Sequence, residues 1–106
     1  MAKYLIHGNY VDDGIKGLMK EGGSSRRAEI TKLVESVGGS LESIYYAFGD
    51  TDVYVIVDLP DNVTAAGLSL ITNASGAVTV GVTVLLTPEE MDAAAQVTPD
   101  YRPPGS

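Results

Sequence analysis

The sequence contains no cysteine and no tryptophan, and it has a single histidine among 106 residues. The lack of cysteine excludes a disulfide framework, a thiol nucleophile and a cysteine-based metal site. One histidine among scattered carboxylates also gives no metal-ligand spacing such as His-x-x-x-His. We therefore predict no metal site and no cofactor.

Basic residues and long apolar runs are also scarce. Seven Lys and Arg stand against 14 Asp and Glu, which gives a formal net charge of -7. Nucleic acids and anionic membranes attract clustered Lys and Arg, and the only adjacent basic pair, Arg26-Arg27, fits the first turn of a helix. No segment approaches the roughly 20 apolar residues of a membrane span, and the N-terminus lacks the pattern of an export signal. We expect no nucleic-acid or membrane partner, and a cytoplasmic location.

The composition is otherwise that of a folded domain, with 44% hydrophobic and 20% charged residues. The length suits one domain with a real hydrophobic core. The end of the chain, PDYRPPGS, is rich in Pro and Gly. We predict a domain over residues 1–97 and a flexible tail over residues 98–106.

Four strands are predicted from short apolar or alternating segments, at residues 3–10, 41–48, 53–59 and 78–86. In the third, Val53, Val55, Val57 and Leu59 form the better core face, and Tyr54 and Ile56 point the other way. Two main helices are predicted from apolar stripes with helical spacing. One comprises residues 30, 33, 34 and 37, and the other comprises residues 63, 66, 67, 70, 71 and 74.

Helix boundaries are indicated by capping residues. Ser24 or Ser25 is the expected N-cap of the first main helix, and Asp61 that of the second. Thr87 and Glu90 have the spacing of a capping box for a short C-terminal helix. The resulting order is α+β, a ferredoxin-like βαββαβ fold: a four-stranded antiparallel sheet with two main helices on one face and the short C-terminal helix beyond. The other face is left uncovered, which predicts a homo-oligomer joined through it.

Three segments in order resemble the GYD domain family: KYLIHGNYVDDGIKGL, GGSLESIYYAFGDTDVYVIVDLPD and SGAVTVGVTVLLTPEEMD. The resemblance extends to about Ala95. The family is similar to the dimeric α/β-barrel superfamily, whose members pair ferredoxin-like sheets face to face, so the resemblance implies the same pairing here. GYD proteins have no settled biochemical role, and the resemblance therefore implies a fold more than a reaction.

Six residues are candidates for a site. His7 is the candidate catalytic base, because imidazole transfers protons near neutral pH, but it is also typical of a structural histidine at an oligomer contact.

The candidate ligand-binding residues are Tyr10, Tyr45, Tyr46, Asp52 and Tyr54. Tyr45 and Tyr46 point to opposite faces, so at most one can easily join Tyr54. The turn context of Asp52 favours hydrogen bonds to nearby backbone amides. Which face His7 shares depends on the parity of the first two strands, which the pattern leaves open.

Three functions are compatible with these residues. The first is a small oligomeric protein with a small-ligand pocket at the open sheet face or subunit interface. The alternative, implied by the superfamily, is a cofactor-independent monooxygenase or isomerase that acts on a small aromatic or conjugated carbonyl compound, with His7 as base and a tyrosine as donor. A regulatory subunit that senses a metabolite or joins a larger assembly is a third hypothesis.

Overall fold

The computed structural model describes all 106 residues. It contains four strands and four helices, with the bounds β1 Ala2–Tyr10, α1 Asp13–Glu21, α2 Gly23–Ser36, β2 Ser40–Tyr46, β3 Val53–Leu59, α3 Asn62–Ala74, β4 Val78–Leu85 and α4 Pro88–Ala94. No helix combines the length and the apolar character that crossing a membrane requires.

The strands form one antiparallel sheet in the order β2-β3-β1-β4. This order is consistent with a ferredoxin-like arrangement and confirms the predicted α+β class. β1 lies between β3 and β4, so its residues are at the centre of the sheet. α2 packs mainly against β2, and α3 packs mainly against β4. These helices cover one face of the sheet, and no helix covers the other, which we call the open face.

The alternation of β3 is confirmed. Val53, Val55, Val57 and Leu59 are each at most 5% exposed and form half of the buried core. Tyr4 of β1 joins them at 1% exposure, and its hydroxyl donates a hydrogen bond of 2.6 Å to Asn62 Oδ1 at the start of α3. A buried phenol needs such a partner, because an unpaired hydroxyl in the core is costly.

The predicted start of α2 is wrong. The helix begins at Gly23, its N-cap is Gly22, and no serine side chain caps it. Gly22 has φ +87°, a conformation that glycine adopts without steric cost, and this allows α1 to be followed directly by α2. The Gly22 carbonyl accepts the first helical bond, from Arg26 N at 3.2 Å. The predicted stripe of α2 is confirmed, because Val34 is buried and Ile30, Leu33 and Val37 pack against the core.

The predicted apolar stripe of α3 is not its buried face. The helix buries Ala65 and Leu68, whereas Val63, Leu70 and Ile71 are 81%, 73% and 64% exposed. Apolar residues occur all around this helix, so their spacing could not identify the side that faces the sheet.

The caps of the later helices are confirmed. Asp61 Oδ1 accepts a hydrogen bond of 2.8 Å from Thr64 N, and Thr87 and Glu90 form the complete capping box. Two strands end earlier than predicted, β2 at Tyr46 and β4 at Leu85. β2 ends because the next amide, Ala47 N, donates to the Asp52 carbonyl and closes the loop to β3.

The C-terminal part of the chain extends from the domain. Every residue from 88 to 106 is exposed, including those of α4. The radius of gyration is 16.9 Å, against about 13 Å for a globular chain of this length. Residues 98–106 contain no helix or strand. The division at residue 97 remains a prediction.

Candidate functional site

The strand register brings three of the candidate residues together. His7 lies opposite Tyr54 on one side and Gly81 on the other, and Tyr45 lies opposite Tyr54 from β2. Residues directly opposite one another point to the same face of a sheet. His7, Tyr45 and Tyr54 are therefore neighbours on the open face, and we call them the open-face cluster.

The imidazole of His7 lies over Gly81. A Cβ atom built on Gly81 would be 2.6 Å from His7 Cε1 and 2.9 Å from Nε2, so any larger residue would displace the ring. The absence of a side chain at Gly81 leaves a shallow depression on the edge strand β4, beside the central strand β1, and the ring lies in it. The His7 side chain makes no hydrogen bond within the chain, which leaves both ring nitrogens for a ligand or a partner subunit.

The two tyrosines of the open-face cluster are accessible. Tyr45 is 72% exposed and Tyr54 is 41% exposed. The hydroxyls of Tyr4 and Tyr46 donate hydrogen bonds within the chain, whereas those of Tyr45 and Tyr54 do not. The Tyr45 and Tyr54 hydroxyls consequently keep both their donor and acceptor capacity.

Charged residues lie at one end of the open face. Lys3 forms ion pairs with Glu42 on β2 and with Asp58 on β3, the latter at 3.0 Å. The hydrogen bonds to Glu42 and then to Asp58 raise the pKa of the Lys3 ammonium above its ordinary value. The three charges are thus paired with one another and lie away from His7.

Asp52 does not join the open-face cluster. Its carboxylate accepts a hydrogen bond of 3.0 Å from Tyr10 N, and its own amide donates to Asn9 Oδ1 at 3.0 Å and to the Gly8 carbonyl. The residue therefore fixes the loop between β2 and β3 against the end of β1. This geometry is the local backbone role that its turn sequence indicates.

Tyr46 and Tyr10 lie on the helix-covered side. The Tyr46 ring packs on Gly23, where an added Cβ would lie 3.1 Å from Cε2, and its hydroxyl is 3.5 Å from the Gly23 carbonyl. Burial, and then the neighbouring Tyr10 phenol, raise the pKa of Tyr46 to about 12, with Arg26 and Arg27 acting in the opposite direction. The two tyrosines and Arg26 thus stand close together where α2 begins.

A cavity that the sequence reasoning missed opens beside this group. It lies between the sheet and the two main helices, and the centre of a water molecule could occupy about 90 Å³ of it. Eleven of its 14 lining residues are hydrophobic. Tyr10 and Arg26 line both this cavity and an open groove bordered by α1 and α3, so they stand at its mouth. No sequence signal marks it, because the valines that line it are the same type that would fill a solid core.

No His, Cys, Asp or Glu residues form a group of three that could hold a metal ion. The side chains on both faces offer hydrogen-bond donors and apolar surface, which suits an organic ligand.

The comparison with protein families is consistent with this fold. The GYD domain model matches residues 4–95, which is most of the chain, and the protein therefore belongs to the GYD domain family. No curated protein and no solved structure matches it.

Proposed function

We propose that this GYD protein works as a homo-oligomer joined through its open face, and that the joined faces enclose a small-ligand site. The observation that carries the proposal is the uncovered open face, on which Tyr45 is 72% exposed and Tyr54 is 41% exposed. Monomeric proteins rarely expose a large contiguous apolar surface, and such a surface usually marks an interaction site.

The composition of the open face supports a second copy of the chain as the occupant. Its central positions carry Leu5, Ile56, Tyr45 and Tyr54, and aromatic residues are enriched in protein interfaces. Two chains of net charge -7 repel each other, but the charges on this face are confined to one end and already paired. Pairing of two open faces therefore brings apolar and aromatic surfaces together with little like-charge contact.

The open-face cluster supports a ligand at this interface. The free hydroxyls of Tyr45 and Tyr54 can donate to a carbonyl or phenolate oxygen, while their rings stack on a flat ligand. The imidazole of His7 can donate or accept a further bond. These groups suit a small aromatic or conjugated carbonyl compound. The geometry gives less support to catalysis, because no carboxylate hydrogen bonds to His7 to orient the ring as a base.

Molecular mass in solution tests the pairing. Sedimentation of the wild-type chain at micromolar concentration is expected to give a dimer or larger species. Ile56→Glu is expected to give a monomer, because it buries an unpaired charge in the interface. Val63→Glu is the matched control, since Val63 is 81% exposed on α3, far from the open face. A wild-type protein that is folded and strictly monomeric would contradict the proposal.

Ligand binding at the cluster is tested separately with a panel of hydroxybenzoyl and quinone compounds. We expect Tyr54→Phe and His7→Ala to weaken binding of any compound that the wild type retains. Tyr101→Phe, in the exposed tail, controls for general loss of a phenol. Binding that is unchanged by both cluster substitutions would remove the cluster from the ligand site.

A further inference from the structure

The cavity between the sheet and the helices arises from the way the helices are placed. α2 packs over β2 and α3 packs over β4, which are the two edge strands. The cavity lies between these two helices, and the sheet residues that line it, from β1, β3 and β4, are mostly valines. Ile6, Val80 and Val82 line the cavity from below, and Ile30 and Leu68 line it from the helices.

The polar groups around the cavity differ in what they can still bind. Ser69 and Thr72 are on α3, and the Thr72 hydroxyl already donates to the Leu68 carbonyl at 2.8 Å. The Ser69 hydroxyl accepts from Asn73 Nδ2 at 3.2 Å. Arg26 is different, because its one ion pair, with Glu21, is long at 3.7 Å. A guanidinium has five donors, so most of those of Arg26 are not used by this ion pair.

We propose that the cavity and its mouth bind a small aliphatic monocarboxylate, with the alkyl chain inside and the carboxylate on Arg26. Eleven of the 14 lining residues are hydrophobic, so the interior of the cavity accepts a hydrocarbon chain. A cavity of 150 Å³ holds benzene, so this smaller one suits a tail of about four carbons. The guanidinium fork matches a carboxylate in two parallel hydrogen bonds. Tyr10 stands at the same mouth and can donate a further bond.

The groove outside the mouth provides access. It is bordered by α1 and the end of α3, and it carries Lys20 and Arg26 with the acids Asp13 and Glu21. Glu21 is the group with which an entering carboxylate must compete. Its ion pair with Arg26 is partly exposed, and such pairs are weak. A ligand carboxylate backed by a buried tail therefore has the advantage over Glu21.

The binding test uses the full-length chain and three probes. Pentanoate has both the tail and the head, pentan-1-ol has the tail alone, and acetate has the head alone. We expect pentanoate to bind with a dissociation constant on the order of 1 mM and to shift the methyl resonances of Ile6, Val80 and Val82 in carbon-detected titrations. Acetate is expected to leave those methyl groups unshifted. Pentanoate that shifts none of them at tens of millimolar would overturn the proposal.

Two neighbouring arginines supply matched variants. Arg26→Gln is expected to weaken pentanoate binding about tenfold and to leave pentan-1-ol binding unchanged, because it removes only a charge-assisted bond. Arg27→Gln changes the next residue, which does not line the cavity, and is expected to have no effect. Equal weakening by both substitutions would show a general surface-charge effect and overturn the assignment to Arg26.

This site is separate from the open-face proposal, and the two fail independently. The mass of the assembly in solution shows whether open faces pair, whereas the methyl shifts of Ile6 and Val82 show whether pentanoate enters the cavity. Val82→Ile adds one methyl group to the cavity wall. It is expected to reduce pentanoate binding without changing the number of subunits in the assembly. Unchanged binding in this variant would place the tail elsewhere and overturn the proposal.

Discussion

The placement of His7 over Gly81 makes a quantitative prediction for Gly81→Ala. In the interior of a strand, replacement of glycine by alanine stabilises the fold by about 0.5–1 kcal/mol, because the unfolded chain loses freedom. The new Cβ would lie 2.6 Å from His7 Cε1. Carbon atoms in good contact are about 3.5–4 Å apart, so the imidazole must move by about 1 Å.

The cost of moving the ring determines how much Gly81→Ala changes the free energy of unfolding. His7 is half-buried, so its side chain can rotate, and leaving a preferred rotamer by about 30° costs about 0.5–1.5 kcal/mol. Gly81→Ala is therefore expected to be nearly neutral in the wild type, because the two effects offset each other. In a His7→Ala background there is no ring to displace. The same substitution is then expected to stabilise the protein by about 0.5–1 kcal/mol.

A double-mutant cycle measures this difference. Urea unfolding of the wild type, both single variants and the double variant gives a coupling energy, which we expect to be about 0.5–1.5 kcal/mol. All four proteins must be compared at one protein concentration, because oligomerisation changes apparent stability. If Gly81→Ala changes the free energy of unfolding equally in the wild type and in His7→Ala, to within about 0.3 kcal/mol, the placement of the ring over Gly81 is refuted.

Two further predictions concern helix and strand ends. Asp61→Ala is expected to lower stability at neutral pH, and Asp61→Asn to retain most of it, because asparagine also caps well. The hydrogen bonds from Thr64 lower the pKa of the Asp61 carboxyl below its ordinary value of 3.8. The ionised carboxylate therefore stabilises the fold above pH 3.8, and this stabilisation is lost as the pH falls through the lower pKa of the folded state. In urea unfolding, the deficit of Asp61→Ala should therefore shrink in acid, and a deficit independent of pH would contradict this. Gly39→Ala is expected to destabilise by about 1–3 kcal/mol, since its Cβ would lie 2.4 Å from the rigid Asp58 carbonyl. Gly67→Ala is the control, because an added Cβ has open space in α3, and it is expected to stabilise the protein by about 1 kcal/mol. Equal urea midpoints for Gly39→Ala and Gly67→Ala would contradict the close packing at Gly39.

The parts of the fold that were predictable are those with one dominant local signal. β3 alternates strictly between apolar residues and others, and one face had to be the core. Asp61 follows a proline and precedes a helical stretch, where a carboxylate has an obvious amide partner. In α3, by contrast, Val63 and Leu70 compete with Ala65 and Leu68 for the buried side. Spacing alone cannot choose between them, because the choice depends on how the helix packs against β4.

The candidate site was predictable to a smaller extent. Alternation within β3 predicts that Tyr54 lies on the open face, and its 41% exposure between the buried Val53 and Val55 confirms this. The grouping of His7 with Tyr45 required the pairing of β1, β2 and β3, including a register shift in β2 between Leu41 and Ser43. Such a shift changes which residues share a face, and no local pattern marked it. The cavity was not predictable, because it depends on the distance between two helices.

The two proposed sites meet on one strand. Ile6 lines the cavity on the helix side of β1, and the next residue, His7, lies on the open face. Neighbouring side chains in a strand point to opposite faces, so substitutions at these positions can alter one site while the backbone they share stays in place. That backbone pairs with β3 and β4 along most of its length, and the central position makes it rigid. A substitution at His7 should therefore leave pentanoate binding intact, and a substitution at Arg26 should leave the molecular mass intact. Loss of both properties from either change would mean that the sheet itself had been disturbed.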